Sequence, residues 1–581
     1  MYILGGEGRI LRAGLRCRGP QPTLSLAALH MAAHTRNFTG ATVSSSCNAA
    51  RSANLSCLVT ICSGRLVLSR SSVTWVRGMP LRSVLCLVGD SKLEVHTSEF
   101  SWNHARPLAV FDQSSLLLNA STLANNSVVE AAGGGIFVRD KGSVTITGRS
   151  RVHGNNASLD GGGLFARDHA VLKVDGNSSV SSNSAGHFGG GVAAIGNASV
   201  TITGASSVLN NIAGDSGGGL AVVHGTATLT DGSRVQGNTA EKRGGGLHVS
   251  SSHVTITGGS SVQGNRAMNG SGGGLLVVHA RVIISNQSTV LDNRCFSSVG
   301  GGVAVGVRYD DNVRFDTRGV PIYSGVDGSG DFAVDDDTSC VTVINSTISN
   351  NTAVRSAGGG LAVDRKGTVE LVDGTVVSHN SAVNSSGGGV VLLGNGAFRA
   401  DNSVLFANNK VVIGYVGSSI AAFDDSTLTL PLRGHLTRCS VGVYLGQSIC
   451  QAGEYRYLVY QQHDRAVGTP TCVCCPQLTF SFTNMSCEPC PKNAICTGGA
   501  VVEPLLGYWS SAPTSVQMHR CPWSGAACNF TNSTHLCNNG YRGRMCSACQ
   551  LPVYGMLSPF KCAKCMSTPK MQLGLYMSVS G

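Results

Sequence analysis

Charge is scarce in this sequence. Asp, Glu, Lys and Arg supply 13% of its 581 residues, too few for a disordered polyelectrolyte. The net charge of +11 is spread along the chain without a run of five Lys or Arg. That argues against nucleic acid as a partner and leaves a mildly basic surface. Proline is sparse at 16 residues, and the 76 glycines follow no Gly-X-Y period, which excludes a collagen triple helix. No stretch of 18 apolar residues occurs, so no segment reads as a spanning helix. A helical period is missing as well. Between Cys86 and Cys439 only two cysteines are found, Cys295 and Cys340.

What is abundant is a glycine triplet. Gly-Gly-Gly followed by an apolar residue begins at Gly133, Gly161, Gly189, Gly217, Gly244, Gly272, Gly300, Gly358 and Gly387, with spacings of 28, 28, 28, 27, 28, 28, 58 and 29 residues. A fixed period of this length marks a repeat array in which each unit buries its apolar face only against its neighbours.

Aligned copies give three short strands per unit. The first follows the glycines (Leu220–Val223, Leu275–Val278), the second is Val-Thr-Ile-Thr (Val144–Thr147, Val200–Thr203, Val254–Thr257), and the third is Ser-x-Val. In the second strand Val and Ile point inward and the threonines outward. An Asn-x-Ala corner recurs at Asn155, Asn183, Asn211, Asn238, Asn265, Asn351 and Asn380. Asparagine tolerates the left-handed conformation, and stacked amides can hydrogen-bond up a ladder, so these residues read as structural.

The expectation is an all-β solenoid of parallel coils, about 28 residues each, over 40–435. Coils in 40–132 lack the glycines; those in 133–410 carry them. About a dozen coils at ~4.8 Å make a rod on the order of 60 Å. The doubled spacing after Gly300 is one coil with an insertion at about 308–337, acidic through Asp310, Asp311, Asp316, Asp331, Asp335, Asp336 and Asp337. Calcium is the one cofactor this insertion brings to mind, although Asp335-Asp336-Asp337 lacks the spaced ligands and glycine of a calcium loop.

Gly134-Gly135-Ile136 and Gly359-Gly360-Leu361, each followed within the coil by Val-x-x-Asn, resemble the repeat of polymorphic outer-membrane-protein adhesins, in which phenylalanine stands for that valine. Only Phe406-Ala-Asn-Asn409 keeps the aromatic. The resemblance covers roughly residues 60–430 and implies a right-handed parallel β-helix of the pectin lyase type.

From Cys439 to Cys565 there are fifteen cysteines. They include Cys472, Cys474, Cys475, Cys487, Cys490, Cys496, Cys521, Cys528, Cys537, Cys546, Cys549, Cys562 and Cys565, which read as a disulfide-forming region at 436–568. Cys537 to Cys549 is similar to the closing loop of laminin-type EGF modules. Cys490-Pro through Gly507-Tyr-Trp509 looks like the tail of large surface proteins of algae and other protists, where membrane spans follow. Cys546-x2-Cys549-x12-Cys562-x2-Cys565 also has zinc-ligand spacing. Fifteen Asn-x-Ser/Thr sequons occur, including Asn37, Asn119, Asn156, Asn197, Asn345, Asn484, Asn529 and Asn532. With the cysteines they favour a secretory, oxidising route and a cell-surface or secreted product. Residues 1–39 read as a signal-like or disordered segment, with Arg12, Arg16 and Arg18 before a short apolar stretch at Leu24–Ala33. Residues 569–581 read as the start of a membrane segment.

The leading expectation is a non-enzymatic structural or adhesive surface protein whose partners are extracellular proteins or glycans. The alternative is a polysaccharide-binding or polysaccharide-cleaving β-helix. Its candidates are Arg139-Asp140 and Arg167-Asp168, at matching positions in adjacent coils, with solvated turn residues as the plain reading. A lesser alternative is an ice-binding solenoid, drawn from the outward threonines Thr145, Thr201, Thr228 and Thr255 that Lys173 and Ile283 interrupt.

Overall fold

The computed structural model describes residues 57–307 and 339–429 with short gaps, short strands before them and in the interval between them, and a series of short segments from 443 to 564. The chain divides into two compact units, Met1–Thr437 and Arg438–Gly581.

The first unit is a parallel β-solenoid. The coil that opens at Gly133 runs through Ile136–Val138, Ser143–Thr147, Arg151–His153 and Asn156–Ala157. One coil on, Leu164–Arg167, Val171–Val174, Ser179–Ser181 and Ser184–Ala185 take the same places. The two sets pair in parallel, with Ile136 beside Leu164, Val144 beside Leu172, Val152 beside Val180 and Ala157 beside Ala185. The three expected strands are all present. A fourth of two residues, just past each corner asparagine, builds a 10-stranded ladder beside the two 14-stranded ladders of the second and third sheets.

The pattern of inward residues makes this register the stable one. Each coil turns the same small set inward: Ile136, Val138, Val144, Ile146, Val152 and Ala157 are all at most 1% exposed. A one-residue slip would put Thr145 and Thr147 in their place. Corners turn on left-handed residues, among them Asp140 (φ 62°), Arg149 (φ 62°) and Gly154 (φ 64°).

The glycine triplet folds back over the outer face of the first strand. A Cβ on Gly161 (φ 64°) would lie 2.8 Å from the Cβ of Phe165, and one on Gly189 would meet Ala193 at the same distance. Outward positions of the first sheet, such as Phe165, Ala193, Ala221, His248 and Leu276, are therefore buried.

The ladders bypass the insertion. Val303–Val305 pairs onward with Leu361–Val363, and Cys340–Ile344 pairs back to Arg281–Ile284. The chain between them leaves at the corner joining first and second sheets; within it, Arg314–Phe315 and Pro321–Ile322 pair antiparallel. The acidic residues named above lie outside the described residues. Upstream, Thr23–Ala27 runs parallel to Arg65–Ser69 in the second sheet, so part of the apolar stretch at 24–33 carries strand backbone.

The second unit is built from short antiparallel pairs, such as Ala494–Gly498 with Val501–Pro504 and Tyr554–Ser558 with Lys561–Lys564. Its largest described core is made of half-cystines. Cys521, Cys528, Cys546 and Cys549 are buried with Ala527, and Trp509, Tyr541 and Tyr554 pack against them. A small module with few large apolar residues gains its stability this way.

Candidate functional site

The corner between the first and second sheets holds the residues weighed for catalysis. Asp140 and Asp168 sit there in adjacent coils, and Asp112 occupies the same left-handed position one coil earlier. An Asp oxygen one residue into such a turn faces the backbone of the preceding coil. Asp112 Oδ2 accepts from Gly89 N at 2.9 Å, and Asp140 Oδ2 from Asp112 N at 3.4 Å. Arg139 Nε is 3.3 Å from Asp140 Oδ2, and Arg167 Nε is 3.1 Å from Asp168 Oδ2. The structure thus brings Arg139, Asp140, Arg167 and Asp168 to one edge, where each acid is already engaged by its own arginine. Asp364, many coils on, is wholly buried.

Beside this corner lies a seam that the sequence did not announce. Phe111, Phe137 and Phe165 follow one another in successive coils, with ring centroids 5.8 and 5.4 Å apart. Arg106 lies 4.4 Å over the Phe137 ring and Arg139 5.0 Å over Phe111. Arg106 is buried, and among the described residues it pairs with no acid and its Nε has no hydrogen bond. Burial, followed by repulsion from Arg82, pushes its guanidinium down to about 9. The disulfide Cys57–Cys86 packs against Phe111 at the end of the seam. Further along the same outer column His248 stacks on Phe188. These outward positions are roofed by the glycine hooks and carry Phe, His and Leu as well as Ala, and only counting register from each triplet would have placed them.

The asparagine corner is one continuous ladder inside the solenoid. Asn155, Asn183, Asn211, Asn238, Asn265, Asn351 and Asn380 all belong to it, and Asn103, Asn126, Asn293 and Asn409 extend it. In each coil the main-chain N and the side-chain Nδ2 both donate to the next Oδ1, as from Asn155 to Asn183 at 2.9 Å. A serine ladder runs parallel to it. Ser121 N donates to Ser150 Oγ and Ser150 N to Ser178 Oγ, each at 3.1 Å. The outward threonines are in register too, with Thr201, Thr228 and Thr255 side by side and Lys173 and Ile283 interrupting the column.

Among the described residues of the second unit, disulfides join Cys490–Cys496, Cys521–Cys528, Cys537–Cys546 and Cys549–Cys562. The quartet with zinc spacing is split, since Cys546 and Cys549 bond to different partners. No cluster of three metal-ligating side chains occurs among the described residues. Cys475, Cys487 and Cys565, and the sequons at Asn484, Asn529 and Asn532, lie outside them, as do the side chains of Cys472 and Cys474. Of the other sequon asparagines, Asn156, Asn197 and Asn345 are exposed and Asn119 is half-buried. No described helix is long and apolar enough to cross a membrane.

No family model, no curated protein and no solved structure matches this chain. Its geometry is all that speaks for its role. That geometry is of polar groups spent on holding coils together, with a disulfide-bonded module after them.

Proposed function

We propose that this chain is a non-enzymatic structural or adhesive protein of the cell surface or extracellular space, related to the polymorphic outer-membrane-protein adhesins in its coils and to laminin-type EGF modules in its tail. The observation that carries the reading is the use of its polar side chains. Asparagine and serine ladders satisfy the solenoid from within, and the candidate acids are tied to their own arginines. What remains outside is a long, repetitive surface suited to extended contact with protein or glycan partners. The tail disulfides agree with an oxidising compartment. Surface biotinylation of intact cells expressing the chain, with glycosidase treatment, tests it. A labelled, glycosylated product supports the reading, and a cytosolic, unglycosylated one sinks it.

One observation favours a second reading. Asp112, Asp140 and Asp168 form a column of carboxylates along one edge, the kind of arrangement a polysaccharide-cleaving β-helix would use. Assays on pectin-, alginate- and chondroitin-type polymers decide it. Cleavage that disappears in the Asp140→Ala, Asp168→Ala double variant would establish an enzyme.

A further inference from the structure

Two of the chain's four tryptophans stand outside the core. Trp75 and Trp102 follow the third-sheet strands Ser72–Thr74 and Glu99–Ser101, which pair in register in successive coils. Their indoles stack with centroids 5.5 Å apart and planes 8° from parallel, yet they remain 44% and 47% exposed. Both sit at positive φ, 56° and 59°. Later coils place Asn125, Gly154, Ser182, Asn210 and Gly237 at this same left-handed corner, residues that are small or accept that conformation readily. A bulky aromatic there is an outlier. The interior does not require it, because Val73 and Phe100 already fill the inward positions of those strands.

The position of the open ring face is informative. Trp75 covers one side of Trp102, and no other ring lies against it among the described residues. On its other side the next corner, about 4.8 Å along the solenoid, carries the short side chain of Asn125. The alignment is direct: Ser101 pairs with Ala124, and Trp102 N donates to Ala124 O at 3.1 Å. The result is a step, with an indole as riser and Asn125 on the tread. Asn125-Asn126-Ser127 is itself a sequon. Asn126 is locked into the internal ladder, but Asn125 sits at φ 54° on the outside of the turn, half-buried.

We propose that Asn125 carries an N-linked glycan whose first sugar ring lies on the open face of Trp102. In the covalent step, Asn125 Nδ2 bonds to C1 of the sugar and loses a proton. A polyprenyl diphosphate leaves C1 of the oligosaccharide donor. The apolar C–H face of a pyranose then covers the indole, and its hydroxyls reach the exposed Glu99, whose carboxylate accepts from Ser101 Oγ at 2.6 Å and forms no ion pair among the described residues. The same carboxylate disfavours an acidic sugar on the step. A free neutral saccharide would use the same chemistry, but the tethered one has the higher effective concentration.

The inference rests on the secretory reading above, and one experiment separates the two. The full chain is expressed in secretory eukaryotic cells and its glycopeptides are mapped by mass spectrometry. Wild type, Asn125→Gln, Trp102→Asn and the double variant are then compared by melting and by acrylamide quenching of tryptophan fluorescence. The Trp102→Asn variant keeps the fold, because asparagine serves this corner in other coils. Expected are occupancy at Asn125, increased quenching in Asn125→Gln, and a melting temperature lowered by about 2–4 °C. The melting effect of Asn125→Gln should vanish when Trp102 is already replaced. Asn125 bare while Asn156 or Asn197 is occupied overturns this proposal and leaves the secretory reading standing. No occupancy at any sequon overturns both. Occupancy without a change in quenching shows that the glycan does not cover Trp102 and overturns the proposal, and added soluble β-glucan protecting the Asn125→Gln variant as well as the attached glycan protects wild type overturns it in favour of a site for free saccharide.

Discussion

Asn183 and Asn211 are 28 residues apart, yet Asn211 Oδ1 accepts two bonds from Asn183: one from its main-chain N at 2.9 Å and one from Nδ2 at 3.0 Å. Asn211 Nδ2 in turn donates to Val180 O and to Asn238 Oδ1. One side chain therefore serves the coil before it and the coil after it. Asn211→Ala leaves the buried Asn183 N–H without an acceptor and removes both donors. The expected loss is about 2–4 kcal/mol, because an orphaned buried polar group carries its full desolvation penalty. Denaturant midpoints against the exposed Asn156→Ala check it; equal midpoints for the two would show that the ladder contributes nothing.

Glycines of the triplet and glycines of the outer corners should respond differently to alanine. A Cβ on Gly190 would press on the carbonyls of Ile212 and Gly218, both main chain and unable to yield. At Gly232 (φ 69°) nothing lies within 4 Å. Gly190→Ala should cost several times what Gly232→Ala costs, the latter being about 1 kcal/mol of backbone strain alone. Thermal melting of the two variants gives the comparison.

His248 adds a pH dependence. It is completely buried in the outer column of the first sheet, and burial, reinforced by Arg243, pulls its imidazole down to about 4. The unfolded chain takes up a proton near 6.5, whereas the folded one holds out until about 4. Stability is thus undiminished above pH 6.5 and falls as pH drops between those values, by up to about 3 kcal/mol. His248→Leu, which matches Leu276 in the next coil, should flatten the melting temperature between pH 7 and 4.5. A variant as acid-sensitive as wild type in that window would refute the assignment.

Cys295 should be silent toward thiol reagents. Its Sγ lies against the carbonyls of Ser298 and Gly270, and burial pushes the thiol up to about 12. Thiolate is the reactive form, so native protein at pH 8 should resist iodoacetamide at this position and react only after unfolding. Cys295→Ala should be well tolerated, because Ala267 and Ala353 hold the same place on either side. Peptide mapping after timed alkylation reads the first outcome and melting reads the second.

Most of the solenoid could be read before it was seen, and the reason is local. Val144-Thr145-Ile146-Thr147 alternates inward and outward because a strand leaves no other choice, and a glycine triplet marks the coils from Gly133 to Gly387. Seven members of the asparagine ladder were visible from the Asn-x-Ala corner. Asn103, Asn126, Asn293 and Asn409 were missed because the alanine after them is replaced or their coil lacks glycines. The Phe111–Phe137–Phe165 seam and His248 depend on what lies over a strand's outer face, which sequence spacing does not encode. The tail shows the same limit. Its cysteines were legible as a disulfide block, but the pairing of Cys537 with Cys546, beside a left-handed turn at Met545, was not.

Along the ladder every bond from one asparagine to another points toward the same end of the solenoid. The amide dipoles accordingly add instead of cancelling, and the column has a head and a tail. At the N-terminal end Asn103 Oδ1 still finds a donor in Val76 N at 2.9 Å, while Asn409 at the other end turns its Nδ2 back to Val377 O. The two ends of the column are therefore unlike, one closed by a main-chain N–H that donates into it and the other by an amide that donates back to the preceding coil.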